Sequence, residues 1–130
     1  MILLDSDILI DLLRRYPPAV AWLYALPADE QVIVSGYVVM ELIQGCRNKA
    51  EQDSVRQALA THGVAWLAPD DYDKALDVFA TYRLSHNAGL LDVLIGQTTV
   101  ALGAPLCTLN QRHYSFIPGL QTSQTYATST

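Results

Sequence analysis

The sequence predicts an α/β fold: a three-layer α/β/α sandwich around a mainly parallel sheet. Three observations carry that expectation. Short apolar runs of strand length recur, at Ile2-Leu3-Leu4, Val32-Ile33-Val34, Val64-Ala65-Trp66-Leu67 and Leu106-Cys107-Thr108-Leu109. Segments with helical spacing separate them, the alternation expected of a parallel sheet covered on both faces. With 130 residues and 51% hydrophobic content, the chain is long enough to bury one real core.

Taken in order, the first strand gives way to a helix over 7–15, which Ser6 or Asp7 can cap because a side-chain oxygen there accepts from free backbone N–H groups. Tyr16-Pro17-Pro18 ends that helix, and Pro18 suits the first turn of a second one over 18–26. After the turn at Pro27-Ala28-Asp29-Glu30 and the second strand, 37–46 reads as a helix closed near Gly45. Asn48 caps a helix over 49–62, stopped by Gly63, with His62 a plain helix-end residue. Pro69 opens an amphipathic helix to about residue 85, with Tyr72, Ala75, Leu76, Phe79 and Tyr82 at helical spacing. A loop at His86-Asn87-Ala88-Gly89 leads into a helix over 90–102, ended by Gly103-Ala104-Pro105. The fourth strand follows, then Asn110-Gln111-Arg112-His113 as a connection, and a short last strand after Gly119. One domain over 1–122 is expected, with a polar Ser- and Thr-rich tail over 123–130 that frays or docks at an edge.

The formal net charge of −5 argues against a binder that relies on a broad basic face. It leaves room for a nuclease, whose acids a divalent cation can cancel locally. Cys46 and Cys107 have no paired spacing and cannot build a zinc cage alone. The N-terminus lacks the basic lead-in of a signal peptide, and no apolar run approaches the ~18 residues that span a membrane. The expectation is a reduced, cytoplasmic protein with no membrane partner.

The thirteen acids sort by neighbourhood. Asp29, Glu30, Glu51, Asp53, Asp70, Asp71, Asp73 and Asp77 lie in polar surroundings and read as solvated or capping charges. Asp5, Asp7 and Asp11 lie in the opening apolar run, Glu41 in Val38-Val39-Met40-Glu41-Leu42-Ile43, and Asp92 in Leu90-Leu91-Asp92-Val93-Leu94-Ile95. An acid in an apolar run is carried inward, and an uncompensated buried carboxylate costs several kcal/mol. The eight Lys and Arg mostly sit on stretches that read as exposed. Clustered carboxylates suit Mg²⁺ or Mn²⁺, which would compensate several at once. Separate caps and local salt bridges remain the plainer alternative.

These residues carry a resemblance. Leu4-Asp5-Ser6-Asp7 resembles the opening motif of PIN-domain nucleases, and Ser35 through Glu41-Leu42 to Gly45 resembles the second. Gly89-Leu90-Leu91-Asp92 resembles the third, with its helical Asp. Thr108-Leu109-Asn110-Gln111-Arg112-His113-Tyr114, with Ile117-Pro118-Gly119-Leu120, resembles the closing segment. Size and closing segment look most like VapC-type toxins of toxin–antitoxin pairs. The resemblance implies metal-dependent cleavage of RNA, with Asp5, Glu41 and Asp92 as the acids that hold Mg²⁺ or Mn²⁺. Ser6 matches the hydroxyl that supports the first Asp. Asp7, Thr108 and Asn110 match supporting or possible ligand positions, and Asn110 stands where many relatives carry a fourth acid. Arg14, Arg112 and His113 are candidate RNA contacts; a solvated charge is the plainer reading of each, and Asp11 reads as a solvated face. A cognate antitoxin and a homodimer are the implied protein partners.

Rival readings are weaker. Asp5-Ser6-Asp7 also resembles the nucleophile motif of haloacid-dehalogenase-type phosphatases, but that chemistry and that of response receivers want a late Lys, and no Lys follows Asp92. A housekeeping RNA-processing nuclease and a degenerate PIN scaffold that binds RNA or a partner without cutting stay open.

Overall fold

The computed structural model describes residues 1–127, so the last three residues of the expected tail lie outside it. The chain runs through β1 (Ile2–Leu4), α1 (Ser6–Leu13), α2 (Pro17–Tyr24), β2 (Val32–Ser35), α3 (Gly36–Gln44) and α4 (Lys49–Leu59). It continues through β3 (Gly63–Ala65), α5 (Pro69–His86), α6 (Leu90–Leu102), β4 (Leu106–Cys107), α7 (Gln111–Tyr114) and β5 (Thr122–Ser123). The strands lie in the order β3-β2-β1-β4-β5, and every neighbouring pair is parallel. The expected sandwich is therefore present with a wholly parallel sheet.

β1 is central, and Leu3 and Leu4 are fully buried, which explains why the strand is apolar on both faces instead of alternating. The chain builds outward from β1 to β2 and β3, then returns to place β4 and β5 on its other side. That reversal puts a crevice at the carboxyl ends of β1 and β4, the usual ligand position in an open α/β sheet. Asp5 follows β1 directly and Thr108 follows β4 directly, so both stand at that crevice.

Several boundaries differ from the sequence reading, each for a physical reason. Asp5, not Ser6 or Asp7, is the N-cap of α1, and its carboxylate accepts from the Ser6 backbone N–H. Asn48 caps α4 as expected, but the helix stops at Leu59. β3 starts one residue earlier and ends at Ala65, because Trp66 leaves the sheet to pack edge-on against Tyr37 and over Gly36. A Cβ at Gly36 would lie 2.4 Å from that indole, so glycine makes the approach possible. β4 is two residues long, because Thr108 turns its hydroxyl to Asp5 and the Leu109 N–H donates to Asp7. The expected connection at 110–113 is mostly the short helix α7.

The strand after Gly119 is β5, which crosses the boundary placed at residue 122: Ser123 pairs with Cys107. Tyr126 then packs against Tyr16 and Trp22, with ring centroids 6.1 and 6.3 Å away. Its hydroxyl donates to Asp11 at 2.9 Å, so Asp11 is an anchor for this segment and not a freely solvated charge. Of the two expectations for the tail, docking at an edge is the one that holds over 123–127; composition could not choose between them because strand pairing uses backbone groups, which composition does not register. Among the described residues, no helix is long and apolar enough to cross a membrane.

Candidate active site

Asp5, Glu41 and Asp92 come together in one cavity of ≈ 200 Å³ at the carboxyl edge of the sheet. Each arrives by a different route. Asp5 is fixed by the end of β1, where its own N–H donates to Cys107 O at 2.9 Å. Glu41 projects from the middle of α3, which Ser35 caps by accepting from the Tyr37 N–H. Asp92 lies in the first turn of α6, where the helix dipole favours a negative charge. Gly89 makes room for it: a Cβ there would lie 2.8 Å from Asp92 Oδ2.

Asp5 is only 4% exposed and is held by three donors. The Ser6 N–H (2.8 Å) and the Tyr114 hydroxyl (2.9 Å) both donate to Oδ1, and the Thr108 hydroxyl (2.9 Å) donates to Oδ2. The Ser6 hydroxyl, expected to support Asp5, donates instead to Glu41 Oε1; only the Ser6 N–H reaches Asp5. Asp7 also lines this cavity and shares the Thr108 hydroxyl with Asp5, at 3.3 Å. It accepts from the Ile8 and Leu109 N–H groups at 2.8 and 3.0 Å, and so ties α1 to the segment after β4. The His113 ring nitrogen Nε2 lies 2.7 Å from Asp92 Oδ2. Asn110 lines the cavity mouth, and its N–H donates to the Thr108 hydroxyl at 3.1 Å.

Tyr114 was missed in the sequence, where it is only the last residue of the polar run Asn110-Gln111-Arg112-His113-Tyr114. It is 3% exposed, and its hydroxyl lies between Asp5 Oδ1 and Asp92 Oδ1, at 2.9 and 3.5 Å. Burial, with the charges of both acids, pushes its pKa far above the usual phenol range, so it serves only as a donor. The one available signal was its place, next to His113 in the closing segment. Arg112 lines a neighbouring pocket, whereas Arg14 is exposed at the far end of α1 and lines neither cavity.

The electrostatics point in one direction. Burial raises the pKa of Asp5, and the charge of Asp92 adds to it against three hydrogen bonds that lower it. Burial likewise raises Asp92, with Glu41 adding and His113 opposing. Asp7 is pushed up to about 6 by burial and by Asp5. Among the described residues, the only basic side chain in contact with any of these acids is His113, against Asp92; no Lys or Arg bridges them. No three His, Cys, Asp or Glu side chains among the described residues close on a single point; Asp5, Glu41 and Asp92 are instead in contact with Tyr114, Ser6 and His113 respectively. The donor set is nonetheless all oxygen, anionic and short of positive charge, the chemistry that Mg²⁺ and Mn²⁺ accept. The residues present fit a hard divalent cation.

Comparison with known proteins agrees with this geometry. The PIN domain family profile matches residues 2–116. The chain is 37% identical over 122 residues to "Ribonuclease VapC10" of Mycobacterium tuberculosis, covering 93% of this chain and 91% of that one. It is 34% identical over 126 residues to "Ribonuclease VapC19" of the same species, covering 93% and 98%. Among solved structures, a toxin–antitoxin complex from Klebsiella pneumoniae aligns with TM-score 0.75 and 27% identity, covering 97% of this chain and 98% of that one. DNA-bound VapBC from Salmonella typhimurium aligns with TM-score 0.78 at 20% identity, covering 94% and 96%, a likeness of fold. Sheet order, acid crevice, profile and relatives converge: the chain belongs to the PIN-domain family, alongside the VapC ribonucleases.

Proposed function

We propose that the protein is a metal-dependent endoribonuclease and the toxin of a toxin–antitoxin pair, with Asp5, Glu41 and Asp92 holding the cation. The observation that supports this most is the cavity itself: four acids, Asp5, Asp7, Glu41 and Asp92, line it with no Lys or Arg to neutralise them. When bound, Mg²⁺ (or Mn²⁺) would supply Lewis-acid polarisation of a phosphodiester and a water of lowered pKa.

The chain's own residues do the positioning. Thr108, Tyr114 and the Ser6 N–H fix the rotamer of Asp5; Ser6 orients Glu41; His113 orients Asp92. Asn110 brings an amide oxygen but no charge to the place of a fourth acid, so a second ion would be held more weakly than the first. His113 is more than half exposed at the mouth, placed to meet an incoming strand. The substrate class, RNA, and an antitoxin as partner come to this chain from its relatives, which are named ribonucleases and toxin–antitoxin complexes; a homodimer is supported instead by the apolar side chains left exposed on a small domain.

The test is cleavage of a mixed RNA pool by purified protein with Mg²⁺ or with EDTA, alongside Asp92→Asn. Cutting should require both the metal and Asp92, with a loss of at least ~100-fold in the variant. Asp92→Asn that cuts at the parent rate would refute the assignment. Tight Mg²⁺ binding without cutting of any RNA would favour a scaffold that has lost catalysis.

A further inference from the structure

A second pocket of ≈ 160 Å³ opens beside the acid cavity and shares two walls with it, Asp92 and His113. Its other walls differ in character. His86, the last residue of α5, and Phe116, just beyond α7, face it with ring centroids 5.9 Å apart and planes 35° apart. Tyr82 packs behind both, 5.2 Å from His86 and 5.4 Å from Phe116, so the rings form a braced cluster. Arg112 lines the same pocket, and among the described residues it forms no ion pair.

The pocket is pre-organised. Ser85 Oγ lies 2.7 Å from His86 Nδ1 and fixes the ring's direction. Arg83 donates to Ala88 O at 2.9 Å, and Asn87, at φ 51°, takes the left-handed cap that turns α5 into α6. A cavity of ~150 Å³ is enough to hold one six-membered ring. Aromatic faces with an adjacent cation are what single-stranded nucleic acid binds: the faces stack on an unpaired base and the cation meets the backbone.

We propose that this pocket is a nucleobase subsite, taking one unstacked base of a single-stranded RNA next to the phosphate held in the acid cavity. His86 and Phe116 form the stacking platform, and Arg112 meets the neighbouring phosphate. The inference rests on the nuclease reading of the acid cavity. It gives the protein a means of choosing where along an RNA it cuts, since the shared walls hold the base and the scissile bond in a fixed relation.

Two readouts test it. Cut sites in a randomised single-stranded RNA pool are mapped with Mg²⁺ for the parent, His86→Ala and Arg112→Ala. Binding of the same pool is measured on Asp5→Asn protein with and without His86→Ala. The parent should show a base bias at one position beside the cut. His86→Ala, an exposed position that leaves the fold intact, should flatten that bias while cutting continues, and should weaken binding by Asp5→Asn protein about ten-fold. Arg112→Ala should weaken binding evenly across sequences without changing the bias. Unchanged bias together with unchanged affinity in His86→Ala overturns the subsite. A parent that does not cut overturns the nuclease reading instead, and the binding arm then decides the subsite alone.

Discussion

At Asp7 a carboxylate spends its hydrogen bonds on the fold. Its pKa is pushed up to about 6 from 3.8, by burial first and by Asp5 second. A raised folded-state pKa means that the folded protein holds the proton more tightly than the unfolded chain. Stability from this group is therefore present below 3.8 and is lost as pH rises through about 6. Asp7→Asn keeps an acceptor for the Leu109 N–H and removes the charge. It should melt higher than the parent above pH 6, with the gap closing as pH falls below 3.8. Melting curves across that range check this, and a gap independent of pH would show that the charge is not what costs stability. Asp5, Glu41 and Asp92 were legible in the sequence for the related reason that an acid inside an apolar run has to be compensated. Tyr114 was not, because a tyrosine among polar residues reads equally well as surface or core, and only the fold shows where its hydroxyl lands.

Among the elements, the helices with a full period of pattern and the strands set off as apolar runs were legible, and the short helix α7 was not. α5 and α6 are long enough to display helical spacing, whereas the four residues of α7 carry about one turn and no pattern. β4 looks four residues long in sequence, yet tertiary contacts from Thr108 and Leu109 to the acids cut it to two. β5 is equally short and is retained from outside: the Thr108 N–H donates to Ser123 O at 3.0 Å, and Tyr126 anchors the following residues to α1 and α2. Tyr126→Ala should loosen that edge. The Leu106 and Thr108 amides, which donate to Gln121 and Ser123, should then exchange with solvent faster, while the β1–β2 amides keep their protection. Uniform acceleration across the sheet would mean that the anchor stabilises the whole domain instead of one edge.

For the molecule as a whole, the acid crevice is a local excess of negative charge in a chain whose formal net charge is already −5. Binding a cation only to the folded state should raise the melting temperature with concentration. Mg²⁺ should therefore stabilise the parent and should do little for Asp5→Asn, which in EDTA should melt at or above the parent because one mutually repelling acid is gone. Equal stabilisation of both proteins by Mg²⁺ would place the ion elsewhere. The parallel topology also sets when the crevice exists at all. Asp5 precedes its Thr108 and Tyr114 donors by 103 and 109 positions, and β1 lacks β4 until that stretch of chain is present. A growing chain that has reached only Ala104 carries all three acids and no frame to hold them. Assembly of the crevice is thereby tied to the docking of β4 and α7, so the acids are joined to their donors only when contacts of very long sequence separation close, and the site is among the last parts of the fold to form.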